Sequence, residues 1–179
     1  MKLMLAAVCC LSLLSMPALG QKGKKAAGAP MTDQQFVDFA AQTDMVEANL
    51  GQFAATAASD QSIKDYGQML ATDHTADYKQ LSDVAKQANL TVPSAIDDQH
   101  NKAMIGPFQK LKGAAFDHKY ATEMVAGHTK AIETYKKEAQ DAQNDALKSY
   151  AQQTLTVLQK HLDGAKELGK KKPAAAAAQ

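Results

Sequence analysis

Between Thr32 and Gly169 apolar side chains return every three or four residues through four long segments, and no stretch shows the alternation of a half-buried strand. A chain patterned this way can bury its apolar surface only by packing helix on helix, which predicts an all-α bundle. Thr32-Asp33-Gln34-Gln35 ahead of Phe36 is a capping-box pattern. The helix it opens carries Phe36, Phe39, Thr43, Glu47, Leu50 and Ala54 on one stripe and is expected to run to about Ala57. Ser59-Asp60 restarts the pattern, with Ile63, Gly67, Leu70, His74, Leu81, Val84 and Ala88 on one face, a stop near Asn89 and a break confirmed by Pro93. A third long helix is expected from near Ala114, with Asp117, Ala121, Met124, His128, Ile132 and Tyr135 aligned. The fourth, from about Asn144, aligns Leu147, Tyr150, Thr154, Leu158, His161, Ala165 and Leu168 before Gly169 and the lysines after it end the pattern.

Tight turns near Ser59 and Gln143 pair these helices into two antiparallel hairpins. A connection of roughly 24 residues joins the hairpins and contains a short helical piece around Asp98 to Leu111, interrupted at Gly106-Pro107. One long crossover is the arrangement of ferritin-like four-helix bundles, whereas up-and-down bundles need only short loops.

Each of the four stripes carries one residue able to ligate a metal: Glu47, His74, His128 and His161. With each helical residue advancing about 1.5 Å, Glu47 and His74 lie roughly 18 and 22 Å from the first turn, and His128 and His161 match about as well from the second. All four fall near mid-bundle and can meet whichever way the hairpins dock. Three imidazoles and a carboxylate suit one Zn, Fe, Mn or Cu ion. A ferritin-type di-iron site would need Glu-x-x-His pairs, and Ala71, Val125 and Leu158 stand three residues before the histidines instead. The competing reading is a pH-sensitive hydrogen-bond network centred on Glu47, because a histidine on an apolar stripe is commonly a core residue bonded to a neighbour. Gly67 and Gly127 each cost about 1 kcal/mol in a helix interior, which suggests close backbone approach beside the site. Met45, Met69 and Met124 read as core filler, Asp117 as an acid in the first turn of its helix, and His100 and His118 as solvated.

Lys2, the apolar run Leu3 to Leu14 and the small-x-small site Ala18-Leu19-Gly20 form an export signal over residues 1–20, with cleavage expected before Gln21. The mature chain is then periplasmic or secreted, with a basic tail at 21–31, the bundle at 32–169 and a Lys/Ala-rich tail at 170–179. No later stretch is apolar for long enough to span a membrane. Cys9 and Cys10 leave with the signal, which removes thiolate sites, cysteine nucleophiles and disulfides. The bundle holds 13 lysines against 19 acidic residues, and the chain lacks the arginines that phosphate clamps and base readout lean on, so no nucleic-acid partner is expected. No Gly-x-Ser-x-Gly elbow, His-Glu-x-x-His motif or phosphate-binding loop occurs, and no organic cofactor is indicated.

Phe36-Val37-Asp38-Phe39-Ala40-Ala41, Glu47-Ala48-Asn49-Leu50-Gly51, Asp73-His74, Phe116-Asp117-x-x-Tyr120, Met124-Val125-x-x-His128 and Leu158-x-x-His161-Leu162 resemble the exported bacterial family catalogued as domain-of-unknown-function family 4142. The resemblance covers Thr32 to Gly169 and implies a ferritin-like helical fold, with recurrent polar positions at Glu47, His74, Asp117, His128 and His161. It implies no reaction. The expectation from the residues is an exported bundle that binds one transition metal in its core for storage, buffering or stress protection. The alternatives are a structural or partner-binding envelope bundle and a mononuclear metal oxidoreductase, with an enzyme the less favoured class.

Overall fold

The computed structural model describes residues 30–170. The expected export signal, most of the expected basic tail and the Lys/Ala-rich stretch beyond Lys170 lie outside the described residues. Four long helices form the body: α1 (Asp33–Ala57), α2 (Gln61–Gln87), α4 (Gly113–Asp141) and α5 (Asp145–Lys170). Between α2 and α4 the crossover holds a short turn, α3 (Asp98–His100), which runs into a π-helical turn at Asn101–Ile105 and a 3₁₀ turn at Gly106–Phe108. Among the described residues no helix is long and apolar enough to cross a membrane.

The helix ends follow local chemistry. The Thr32 hydroxyl accepts from the Gln35 N–H at 3.2 Å while the Thr32 N–H donates to Gln35 Oε1 at 2.9 Å, completing the capping box. Asn89, with φ of 56°, turns the chain out of α2, and the Leu90 N–H returns to the Ala85 carbonyl at 2.9 Å. Asn144 caps α5 by accepting from the N–H groups of Ala146 and Leu147. α5 continues through Gly169 to Lys170, so Gly169 does not stop it.

α1 packs along α2 and α4 along α5, and the hairpins meet through α2 against α5 and α1 against α4. Tyr66 of α2 reaches the His161 carbonyl of α5, whereas Tyr150, about three turns earlier in α5, reaches Asp77, about three turns later in α2, so these helices run antiparallel. Phe53 against Phe116 and Phe36 against Tyr135 give α1 and α4 the same relation. The crossover must therefore travel the full length of the bundle, which is the ferritin-like connectivity. Gln42 holds it midway, donating to the Ala95 carbonyl and accepting from the Asp97 N–H.

Two glycines set how closely the first hairpin closes. A methyl group on Gly51 would lie 2.4 Å from the Gly67 carbonyl oxygen, and one on Gly67 would lie 2.8 Å from the Gly51 carbonyl oxygen. The close approach expected at Gly67 is thus to α1 at Gly51. On α1 the buried surface is wider than one stripe, because Val37, Ala40, Ala41, Asp44 and Val46 are buried while Phe39 and Thr43 are only half-buried. Met69 is exposed and so does not fill the core.

The apolar interior falls into two clusters. One gathers Leu50, Tyr66, Leu70, Phe108, Phe116, Tyr120 and Met124 towards the end bearing the α1–α2 turn. The other gathers Phe36, Val37, Leu81, Ile132, Tyr135, Leu147 and Tyr150 towards the opposite end. Buried polar side chains lie between them.

Candidate metal centre

That polar layer contains every residue predicted to ligate. Glu47 on α1, His74 on α2, His128 on α4 and His161 on α5 are all at least 96 % buried, with relative exposures of 4, 3, 1 and 1 %. One ligand nitrogen from each histidine lies within 4.8 Å of the other two. Tetrahedral ligands bound at 2.0–2.1 Å stand about 3.4 Å apart, so modest side-chain rotation would close the set on an ion. Glu47 is buried with its Oε1 3.3 Å from where a methyl on Gly127 would lie, but its oxygens do not join the three nitrogens within that span. Gly127 therefore leaves room for the Glu47 side chain, whereas the close approach expected there was of backbone.

The second nitrogen of each ring is already engaged. His74 Nδ1 pairs with Asp44 Oδ1 at 2.9 Å, His128 Nδ1 with the Met124 carbonyl at 2.9 Å, and His161 Nε2 with Asp73 Oδ2 at 2.9 Å. A carbonyl can only accept, so His128 carries its proton on Nδ1; the Asp73 carboxylate imposes the same logic on His161, and Asp44, when ionised, on His74. The lone pairs are left on His74 Nε2, His128 Nε2 and His161 Nδ1. These three nitrogens are buried and have no hydrogen-bond partner. Orienting a ligand histidine through its other nitrogen is how metal sites fix tautomer and ring direction.

Burial also keeps the rings neutral. It lowers the pKa of His74 against the opposing charges of Glu47, Asp77 and Asp73, and that of His161 against its bond to Asp73. His128 is pushed down to about 3, mainly by burial and then by His74. Burial raises the Glu47 carboxyl to about 7, with His74 opposing and Asp44 adding to the rise. Burial and the nearby Asp77 raise Asp44 well above the usual carboxylate range. Neutral imidazoles with free lone pairs beside carboxylates costly to ionise form a place where a cation would relieve the electrostatics.

Asp44 and Asp77 were not singled out from the sequence, and Asp73 stood there only in the Asp73-His74 pair of the family resemblance, with no role assigned. Asp44 and Asp77 sit three residues from Glu47 and His74, and that helical spacing was the available signal. Asp77 accepts from the Tyr150 hydroxyl at 2.8 Å and from Thr154 at 3.3 Å, anchoring α5 to α2 beside the site. Asp117 corrects the expectation of a first-turn acid: α4 begins at Gly113 with no acid in its first turn. Its carboxylate instead accepts from the Ser59 and Asp60 N–H groups at 3.0 Å and from the Ser59 hydroxyl, tying α4 to the turn before α2. Met124 is buried in the core and Met45 packs against it, as expected. His118 is exposed, and His100, one-third exposed, pairs with Asp97.

Residues 18–168 match the family described as Domain of unknown function (DUF4142). The chain belongs to this family. No curated protein matches it in sequence. Among solved structures it is similar to CopM in the Cu(II)-bound form, with a TM-score of 0.66 and 13 % sequence identity over 79 % of this chain and 98 % of that one. At that identity the likeness is one of fold.

Proposed function

We propose that this chain is an exported bundle that binds one transition-metal ion at His74 Nε2, His128 Nε2 and His161 Nδ1, with the Glu47 carboxylate alongside as fourth ligand. The observation that carries the reading is the set of three buried, partnerless ring nitrogens on three histidines whose ligand atoms converge to within 4.8 Å, each ring held through its other nitrogen. A hydrogen-bond network among the histidines would instead join ring to ring. Borderline nitrogen donors suit Cu, Zn, Fe or Mn, and copper is the first to try because a protein of the same fold takes Cu(II). Storage, buffering or stress protection in the periplasm fits a buried site served mainly by protein ligands. Metal analysis of protein purified from the periplasm is the test, comparing the wild type with His74→Ala and His161→Ala. About one equivalent in the wild type and a large loss in both variants is expected; a wild type without metal under any growth condition would overturn the reading.

A further inference from the structure

A buried centre needs a way in, and two clefts approach this one from opposite sides of α1. The larger, of about 320 Å³, is lined by Asp44, Met45, Asn49, Gln52, His74 and Tyr78. It reaches the wrong edge of the ring, because the His74 nitrogen paired with Asp44 is Nδ1 and the free one is Nε2. An ion arriving there would have to part Asp44 from His74 first.

The smaller cleft, of about 90 Å³, lies between α1 and α4 beneath the crossover. Glu47, Met124 and Gly127 belong to its lining, with Met104, Lys119 and Glu123 towards solvent. Glu47 Oε2 is buried and has no hydrogen-bond partner. Gly127 is next to His128, and a side chain there would press on Glu47. Lys119 pairs with Glu123 at 2.9 Å and lies over the Phe108 ring at 5.1 Å. Both partners are substantially exposed, so the pair can open at little cost. Met104 is 38 % exposed. The lining thus passes from an exposed thioether and carboxylate to a buried thioether and a buried carboxylate.

We propose that metal reaches the three histidines through this α1–α4 cleft, with Glu47 as the first buried ligand it meets and the missing side chain of Gly127 keeping the passage open. The proposal rests on the metal-centre reading, and the experiment separates the two. Full-length mature protein is mixed with Cu²⁺, and quenching of tyrosine fluorescence is followed by stopped flow; the chain has 5 Tyr and no Trp, and Tyr66 and Tyr120 lie close to the centre. Gly127→Leu fills the passage, Met104→Trp covers its mouth without touching a long helix, and Asn49→Phe crowds the other cleft as a control. The expected result is loading slowed by about tenfold or more in the first two, with final occupancy unchanged in Met104→Trp, and an unchanged rate in the control. If Gly127→Leu does not fold, Met104→Trp decides alone. Loading at the wild-type rate in the folded passage variants, or slowing by Asn49→Phe alone, overturns the passage and leaves the metal centre standing. A wild type that takes up no Cu²⁺ overturns both.

Discussion

Asp44→Asn separates a metal-supporting role from a structural one, because the two predict opposite changes in the metal-free protein. The Asp44 carboxylate is 1 % exposed, accepts from His74 Nδ1 and leaves its Oδ2 without a partner. Burial raises its pKa well above normal, so holding it ionised costs the apoprotein stability. Asparagine keeps an oxygen to accept from His74 and removes the charge. The metal-free variant is therefore expected to melt at the wild-type temperature or a few degrees higher. Metal binding should move the other way: losing the charged partner of a ligand histidine typically costs 10–100-fold in affinity, about 1.4–2.7 kcal/mol. The stabilisation that saturating metal confers should shrink by the same amount. Chelator-competition titration gives the affinity, and melts with and without Cu²⁺ give the stability. A metal-free variant destabilised by more than about 2 kcal/mol with unchanged affinity would refute the reasoning, since Asp44 would then be a structural anchor.

Gly51→Ala places a methyl 2.4 Å from the Gly67 carbonyl oxygen and 2.9 Å from the Ala71 nitrogen; α1 and α2 must separate, and urea melts should show a loss of at least about 1–3 kcal/mol. Asp117→Ala removes the acceptor for the Ser59 and Asp60 N–H groups and is expected to cost about 1–3 kcal/mol in the same assay, with metal stoichiometry unchanged. The folded-state pKa of His128 is about 3 against an ordinary 6.5, so below pH 6.5 the unfolded chain takes up a proton that the folded one refuses, and stability falls as the pH drops towards 3. Metal-free His128→Asn lacks that penalty, and its stability relative to wild type should rise by about 2 kcal/mol between pH 7 and pH 5 in urea melts.

The fold was legible because its determinants are local and periodic. The Thr32 capping box, the helix end at Ala57 and the turn after Asn89 depend on neighbours within a few positions, and a crossover too long for a tight turn left few connectivities. The three histidines were legible because each interrupts an apolar stripe at matching height. What holds them was harder to see. Asp73 is 41 % exposed and bonds to a histidine 88 positions away, so nothing in its own segment marks it as a partner. Asp117 was misplaced for the same reason: its partners lie 58 residues earlier, in a turn it meets only after the crossover has run the length of the bundle. Glu47 was legible as a buried carboxylate, but its distance from the three nitrogens depends on helix rotation that periodicity does not resolve.

X-ray absorption on protein loaded with one equivalent of Cu²⁺ tests the centre most directly. A first shell dominated by three imidazole nitrogens at about 2.0 Å, lost in His128→Ala, is the predicted result. A shell built from sulfur or water oxygens, or one unchanged by His128→Ala, would contradict it.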